Sequence, residues 1–419
     1  MFYTAIEDVT LFNEVGDAPF GLFWVSPVPV YLEEPYKRRI DPPDPVGNRF
    51  PFTIPPPGAT GIWPVYMPVS GSPAYKSDNK LPYSYHFNLT VQRELFRSAL
   101  LSVGYVGTRG RHLLSRIDFN PGNPATCLAA NDFLPENDQC GPFGEDSIYN
   151  LTNGQTVNGT RPFSVTSGRE LSRGLLDFAS NDYIATLANS QYDSLQVSFE
   201  KRFGGLRFLA AYTWSKSFDN SSGFFDRVNP YNPAVSRSLS AFDLSHNFVI
   251  SYSYDLPSPK SLTGFSRAIL SGWTVSGITR FTTGLPVTLS EGDDASLCGC
   301  EGADRPNYTG EKIRILDPRQ SGNQWFDTSP FFPETIGQVG NANRRFFHGP
   351  GLNNWDIAFH KNTTIYERMN LEFRAEFFNV FNHTQFENPD GSIDSGSGFG
   401  FISSARDPRI GQVALKLSF

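Results

Sequence analysis

Two glutamates flank an arginine at alternate positions in Glu372-Phe373-Arg374-Ala375-Glu376. Alternate residues share one face of a strand. Paired carboxylates of that kind can do the acid/base work of glycosidases. The alternative is a ladder of charges on a water-facing wall, and the sequence favours it. The six histidines (His86, His112, His246, His348, His360 and His383) are scattered. They read as polar wall or loop residues rather than ligands. Glu291-Gly292-Asp293-Asp294 and Asn388-Pro389-Asp390-Gly391 offer oxygen ligands without the spacing of an EF-hand loop. No zincin, nucleophile-elbow, P-loop or dinucleotide signature occurs. No catalytic, metal-binding or cofactor-binding residue is therefore assigned, no cofactor is expected, and the chain is not read as an enzyme.

Four cysteines form two local pairs, Cys127 with Cys140 and Cys298 with Cys300, each in a stretch rich in Gly, Asn, Asp and Pro. Local pairs in loops suit disulfides in an oxidising compartment. Free thiols and a metal site are the alternatives, although Cys298-Gly299-Cys300 lacks the second ligand pair that zinc needs. A bond within so short a segment is expected to be strained, which leaves a cross-loop partner open.

The elements that hold these residues follow from composition and period. Aromatics are 14% of 419 residues and charged residues only 18%; Gly and Pro number 37 and 32. That is too aromatic for disorder and too rich in Gly and Pro for a helical protein. The net charge of −7 argues against nucleic acid as a partner. No apolar run is long enough for a transmembrane helix. From Tyr83 onward the period is two. Phe87, Leu89 and Val91 alternate with polar neighbours, and so do Leu195, Val197 and Phe199, then Leu206, Phe208, Ala210, Tyr212 and Trp214. The same pattern recurs to Val413, Leu415, Leu417 and Phe419, predicting nine strands after residue 80, each of about 9–11 residues. A tilted strand needs about that length to cross a bilayer. Short and long connections alternate, as in a barrel with tight periplasmic turns and long outer loops.

One face of each predicted strand carries the charges Glu200, Arg280, Glu372, Arg374 and Glu376. The other face is nearly free of charge. This fits an antiparallel transmembrane β-barrel with lipid outside and water in the lumen. A β-sandwich or propeller is the alternative. Trp214, Tyr105, Trp273, Trp355 and Phe419 fall near strand ends on the apolar face, as aromatic girdles do. With short turns in the periplasm, nine strands end on the side opposite to their start. An even count needs one strand more. Residues 1–80, rich in Pro, are expected to be an extracellular loop region following a truncated strand, Met1-Phe2-Tyr3 being its end. Residues 81–419 are expected to hold the C-terminal strands. The start carries no basic and apolar leader pattern, so it is not read as a signal peptide. The chain is therefore expected to be part of a larger protein; the alternative is a self-contained small barrel with a strand around Phe20 to Tyr31, against which Pro27 and Pro29 argue.

Several segments resemble the C-terminal half of Oar-like TonB-dependent outer-membrane receptors of the Acidobacteria type. They are Phe87-Asn88-Leu89-Thr90-Val91-Gln92-Arg93-Glu94-Leu95, Val103-Gly104-Tyr105-Val106-Gly107-Thr108-Arg109-Gly110 and Tyr192-Asp193-Ser194-Leu195-Gln196-Val197, followed by Ala211–Ser217, Phe373–His383 and Pro408–Phe419. The resemblance implies the outer membrane of a Gram-negative bacterium, contact with its lipid, and a barrel of about 22 strands with a plugged lumen. It implies that TonB is met only through N-terminal parts absent from this chain. It also makes Phe419 the terminal signal through which the barrel-assembly machinery would insert the strand. The ligand is not legible. The alternative function is a secreted β-rich glycan-binding protein or hydrolase.

Overall fold

In the computed structural model of the chain, the residues described are 2–3, 74–96, 98–129, 148–163, 180–223, 226–258, 261, 263–292, 294–300, 302–366 and 369–419. Strand β1 is Phe2–Tyr3 and β2 is Ala74–Tyr75. The first long hairpin joins β3 (Tyr83–Phe96) to β4 (Ala99–Asp118). Two short strands follow, β5 (Ile148–Asn150) and β6 (Thr156–Asn158). The second long hairpin is β7 (Asp182–Phe203) with β8 (Leu206–Asp219). After the short β9 (Ser238–Leu239) come β10 (His246–Asp255) and β11 (Trp273–Thr282). The loop beyond β11 holds β12 (Asn307–Tyr308) and β13 (Phe331–Phe332). The sheet ends with β14 (Leu352–Tyr366), β15 (Met369–Phe378) and β16 (Ile410–Ser418).

The nine long strands are neighbours in chain order, every pair antiparallel, with β1 beside β3 at one edge and β16 at the other. The sheet is open between those edges. Phe2–Tyr3 pairs with Tyr83–Ser84; the rest of residues 1–73 lies outside the described residues. Tight turns close the hairpins. Between β7 and β8 the turn needs the left-handed backbone of Gly204, at φ 55°, which a glycine adopts without a Cβ penalty.

Register separates the two faces. One row runs Gln92, Ser102, Ser198, Ala211, Val249, Arg280 and Asn354 across seven strands. The row behind it runs Val91, Val103, Val197, Tyr212, Phe248 and Phe281. A lower apolar row runs Phe203, Leu206, Tyr254, Val275, Phe359, Ala375 and Val413. Antiparallel partners point the same way, so the alternation seen along each strand becomes two continuous sides. On the apolar side aromatics lie across glycines. A Cβ on Gly107 would stand 2.3 Å from the Phe87 ring, and one on Gly277 would stand 2.6 Å from the Tyr252 hydroxyl. Such pairs seat a ring flat on the sheet and pin the register.

That apolar side meets no second layer of sheet. Among the described residues the other sheets are two-stranded, β12 with β13 and β5 with β6. Leu89, Val91, Val413 and Leu415 stand exposed on it at 64–70%. A sandwich would have buried this wall; an apolar wall left open on this scale belongs against lipid.

Two expectations need correction. The strands are not uniformly of 9–11 residues: β4 has 20 and β7 has 22. At about 3.4 Å per residue they rise well beyond a hydrocarbon layer of about 30 Å. Their upper parts are half polar on both sides, and Ser115, Asp118, Asp182, Ile184 and Ala188 are buried there under loops. The long outer loop between β11 and β14, expected only as a connection, is also a packed unit. With the loop between β15 and β16 it packs a core of Val287, Leu289, Phe326, Phe331, Ala342 and Phe399. Many of the aromatics thus sit in this loop unit rather than in girdles on the barrel wall.

Candidate functional site

The five charges predicted for one side do share it. Glu372, Arg374 and Glu376 pair with Lys416, Ala414 and Gln412 on β16, and with Asn362, His360 and Ala358 on β14. Arg374 Nε lies 2.9 Å from Glu372 Oε1, and Gln412 donates to Glu376. Glu372 is thus paired with a cation, while Glu376 keeps its charge and is held by a neutral amide. Glu376 lines a shallow cavity of about 350 Å³ with Asp356, His360, Ser251 and Ser276. Arg280 lies on β11, four residues along from the row of Glu376, and Glu200 lies on β7, five strands across the sheet from β15. Arg280 stands near the long-loop end, lining a cavity of about 280 Å³ with Glu387, Asn388 and Arg406. Glu200 stands near the short-turn end and pairs with Arg202 at 3.2 Å.

Tyr105, Trp214, Trp273 and Trp355 lie on the apolar side, with Trp355 edge-on to Phe281 and Trp273 edge-on to Phe373. Phe419 follows β16 and is 95% exposed. His360 belongs to the polar face, and His348 bonds Asp243 in the loops at 2.8 Å. Among the described residues no three His, Cys, Asp or Glu side chains stand together as a metal site.

The loops gather at one end. Cys298 is bonded to Cys300, so the short-segment pair is chosen over a cross-loop partner. Asp294 organises that turn by accepting the Cys298 and Gly299 amides. Cys127 is also disulfide-bonded; Cys140 and Asp293 lie outside the described residues. Beside the loop core lies a cavity of about 520 Å³ lined by Asp317, Arg319, Trp325, His383, Gln385 and Phe386 among others. The Arg319 guanidinium sits 5.6 Å above the Phe386 ring. An aromatic face among hydrogen-bonding side chains is what a polar ligand needs for stacking and orientation.

Sequence reading missed the ions that fasten this unit. Arg344 and Arg345 both reach Asp226, and Arg344 also reaches Asp219 at the top of β8, at 3.5 Å. Burial lowers the Arg344 guanidinium to about 10, against the pull of Asp226. Asp243 accepts from His348 and from the Ser217 amide and faces Lys216 at 3.5 Å. Burial pushes Asp243 up, but those partners outweigh it and hold the carboxyl below its usual range. Asp304 and Glu334 are pushed the other way, by burial first and by neighbouring negative charge next, Asp304 to about 7 and Glu334 to about 8. The one visible signal was Asn343-Arg344-Arg345-Phe346-Phe347, adjacent cations inside an apolar stretch.

A nine-strand antiparallel wall with one polar and one lipid-compatible side, capped by packed loops, defines an outer-membrane β-barrel protein. The chain belongs to the family of the outer membrane beta barrel domain, which matches residues 1–412. No curated protein matches it. Solved structures similar to it include the outer membrane transporter YddB from Escherichia coli, at 9% identity and a TM-score of 0.40 over 83% of this chain and 34% of that one. The FrpB iron transporter from Neisseria meningitidis follows at 10% and 0.36, over 83% and 33%. The siderophore receptor PirA from Acinetobacter baumannii stands at 10% and 0.37, over 81% and 32%. The chain spans about a third of the length of these structures. It is a protein of the Gram-negative outer membrane.

Proposed function

We propose that the chain is the C-terminal barrel part of a TonB-dependent receptor of the Oar-like kind, which takes up an unidentified ligand through its outer loops. The observation that carries this reading is the continuous polar face ending at a packed, cavity-bearing loop unit. In this reading the polar face lines the lumen, and the ladder Glu372, Arg374 and Glu376 meets whatever fills it. Residues 81–419 hold the barrel strands in this reading. TonB is engaged through N-terminal parts outside this chain, and the strand ending at Phe419 is handed to the barrel-assembly machinery. The cavity beside Trp325 and Phe386 is the candidate ligand site. The test is uptake by cells carrying the full-length receptor, with and without Arg319→Ala and Phe386→Ala. Loss of saturable, TonB-dependent uptake in the variants at unchanged surface level is expected. Uptake independent of TonB contradicts the reading.

A further inference from the structure

The lipid side of the wall is not apolar up to its rim. On β7 the row on that side runs Phe199, Val197 and Leu195, and then changes to Asp193 and Gln191. Asp193 lies level with Gly107 on β4 and Lys216 on β8, and Gln191 with Arg109 and Phe218. Tyr105 and Trp214 stand one row below, level with Leu195. The polar side chains are joined across the strands. Arg109 Nη2 holds both oxygens of Asp193, at 2.9 and 3.0 Å, and the Tyr105 hydroxyl donates to the same carboxylate at 2.5 Å. Gln191 donates to Asp193 at 3.0 Å and accepts from Arg237 Nη2 at 3.2 Å. The Arg237 guanidinium lies 5.4 Å from the Phe218 ring centre, so this residue, just before β9, lies over the same side of β8. The charges do not cancel. Asp193 answers Arg109, and Asp243 answers Lys216 at 3.5 Å. Arg111 and Arg237 are exposed and have no carboxylate partner among the described residues; Arg111 donates to the Gly110 carbonyl.

A cation on the same side of β7 marks the opposite rim. Lys201, beside the short turn, lies 5.9 Å from the Phe96 ring centre and 5.8 Å from that of Phe203. From Lys201 to Gln191 the strand rises about 34 Å, which a tilt of about 40° brings to about 26 Å across the membrane. The apolar band of an outer-membrane barrel is about 25 Å tall. The Arg109 network therefore stands at the level of the lipid headgroups on the long-loop side, with the girdle aromatics directly beneath it. We propose that this patch binds a phosphorylated lipid of the outer leaflet, its acyl chains against Leu195, Tyr105 and Trp214 and its phosphates against Arg111 and Arg237. A guanidinium offers forked donors that match phosphate oxygens. Asp193 and Gln191 act as positioning residues: the carboxylate fixes Arg109 over Phe87, and the amide holds Arg237 down on the wall. The inference rests on this side facing lipid, and not on what the loops take up.

The test is native mass spectrometry of the full-length protein in detergent, titrated with lipid A carrying two phosphates, one or none on the same acyl chains. The wild type is expected to retain the three in that order of affinity. Arg111→Gln and Arg237→Gln are each expected to weaken retention of the doubly phosphorylated form about fivefold, the worth of one cation beside an anionic headgroup, and to leave the phosphate-free form unchanged. Arg237→Lys is expected to keep most of the affinity. Equal retention of all three lipids by the wild type, or of none, overturns the inference, and this comparison needs no variant to fold. Undiminished retention in the double variant overturns it too. Displacement of the lipid by inorganic phosphate at a matching concentration also contradicts it, since the acyl chains and the girdle would then add nothing.

Discussion

Arg344 and Asp226 form an ion pair across 118 residues of chain. Arg345 joins the same carboxylate at 3.1 Å, and Asp219 completes the group from β8. The loop after β11 is thereby fastened to the loop after β8. Removing Arg344 leaves Asp226 with Arg345 alone, at a cost toward the lower end of the about 3–5 kcal/mol of a buried pair broken outright. Arg344→Met is expected to lower loop-unit stability by that order, read as faster proteolysis between residues 283 and 351. Adding Asp226→Leu is expected to deepen the loss, since the buried Arg345 then loses its carboxylate.

Leu89 and Thr90 are adjacent and face opposite sides of β3. An arginine on the lipid side near mid-membrane costs about 2–4 kcal/mol, while a lumen-side substitution is tolerated. Leu89→Arg is expected to lower the folded fraction in bilayers in a urea titration, and Thr90→Arg is expected to leave it near wild type.

Phe87 covers Gly107 so closely that no Cβ fits between them. Gly107→Ala is expected to cost about 1–3 kcal/mol, the usual range for overpacking. Phe87→Leu in the same molecule is expected to recover most of it, which a double-mutant cycle of unfolding free energies measures.

Asp243 is held ionised by His348, Ser217 and Lys216. A lowered carboxylate contributes stability above its unfolded range and loses it as pH falls through the folded value. Asp243→Asn is therefore expected to destabilise the loops at neutral pH by about 1–3 kcal/mol, the usual cost of removing a charged hydrogen-bond partner. The gap to wild type is expected to close in acid, below the ordinary carboxylate range, as seen in thermal unfolding at both pH values.

The strands were legible because a wall between lipid and water must alternate at every step. Leu371, Phe373, Ala375 and Phe377 against Asn370, Glu372, Arg374 and Glu376 leave no second reading of period or face. The tops of β4 and β7 were not legible. Above the membrane both sides meet protein or water, so Ser115-Arg116-Ile117-Asp118 carries no period to read. The loop unit hid for a different reason. Val287, Phe326 and Phe399 join one core from three distant stretches, and an irregular fold writes no repeat into sequence. Arg344, Asp304 and Glu334 were hidden likewise, since only the folded loops set their partners.

The central claim is that the side bearing Glu372, Arg374 and Glu376 faces water and the side bearing Leu371, Phe373 and Ala375 faces lipid. Single spin labels at these six positions, in the protein reconstituted into bilayers, test it through collision with a water-soluble nickel complex and with oxygen dissolved in the lipid. The account predicts nickel access at 372, 374 and 376 and oxygen access at 371, 373 and 375, alternating along β15. Equal access to both probes at adjacent positions, or the reverse alternation, would contradict it.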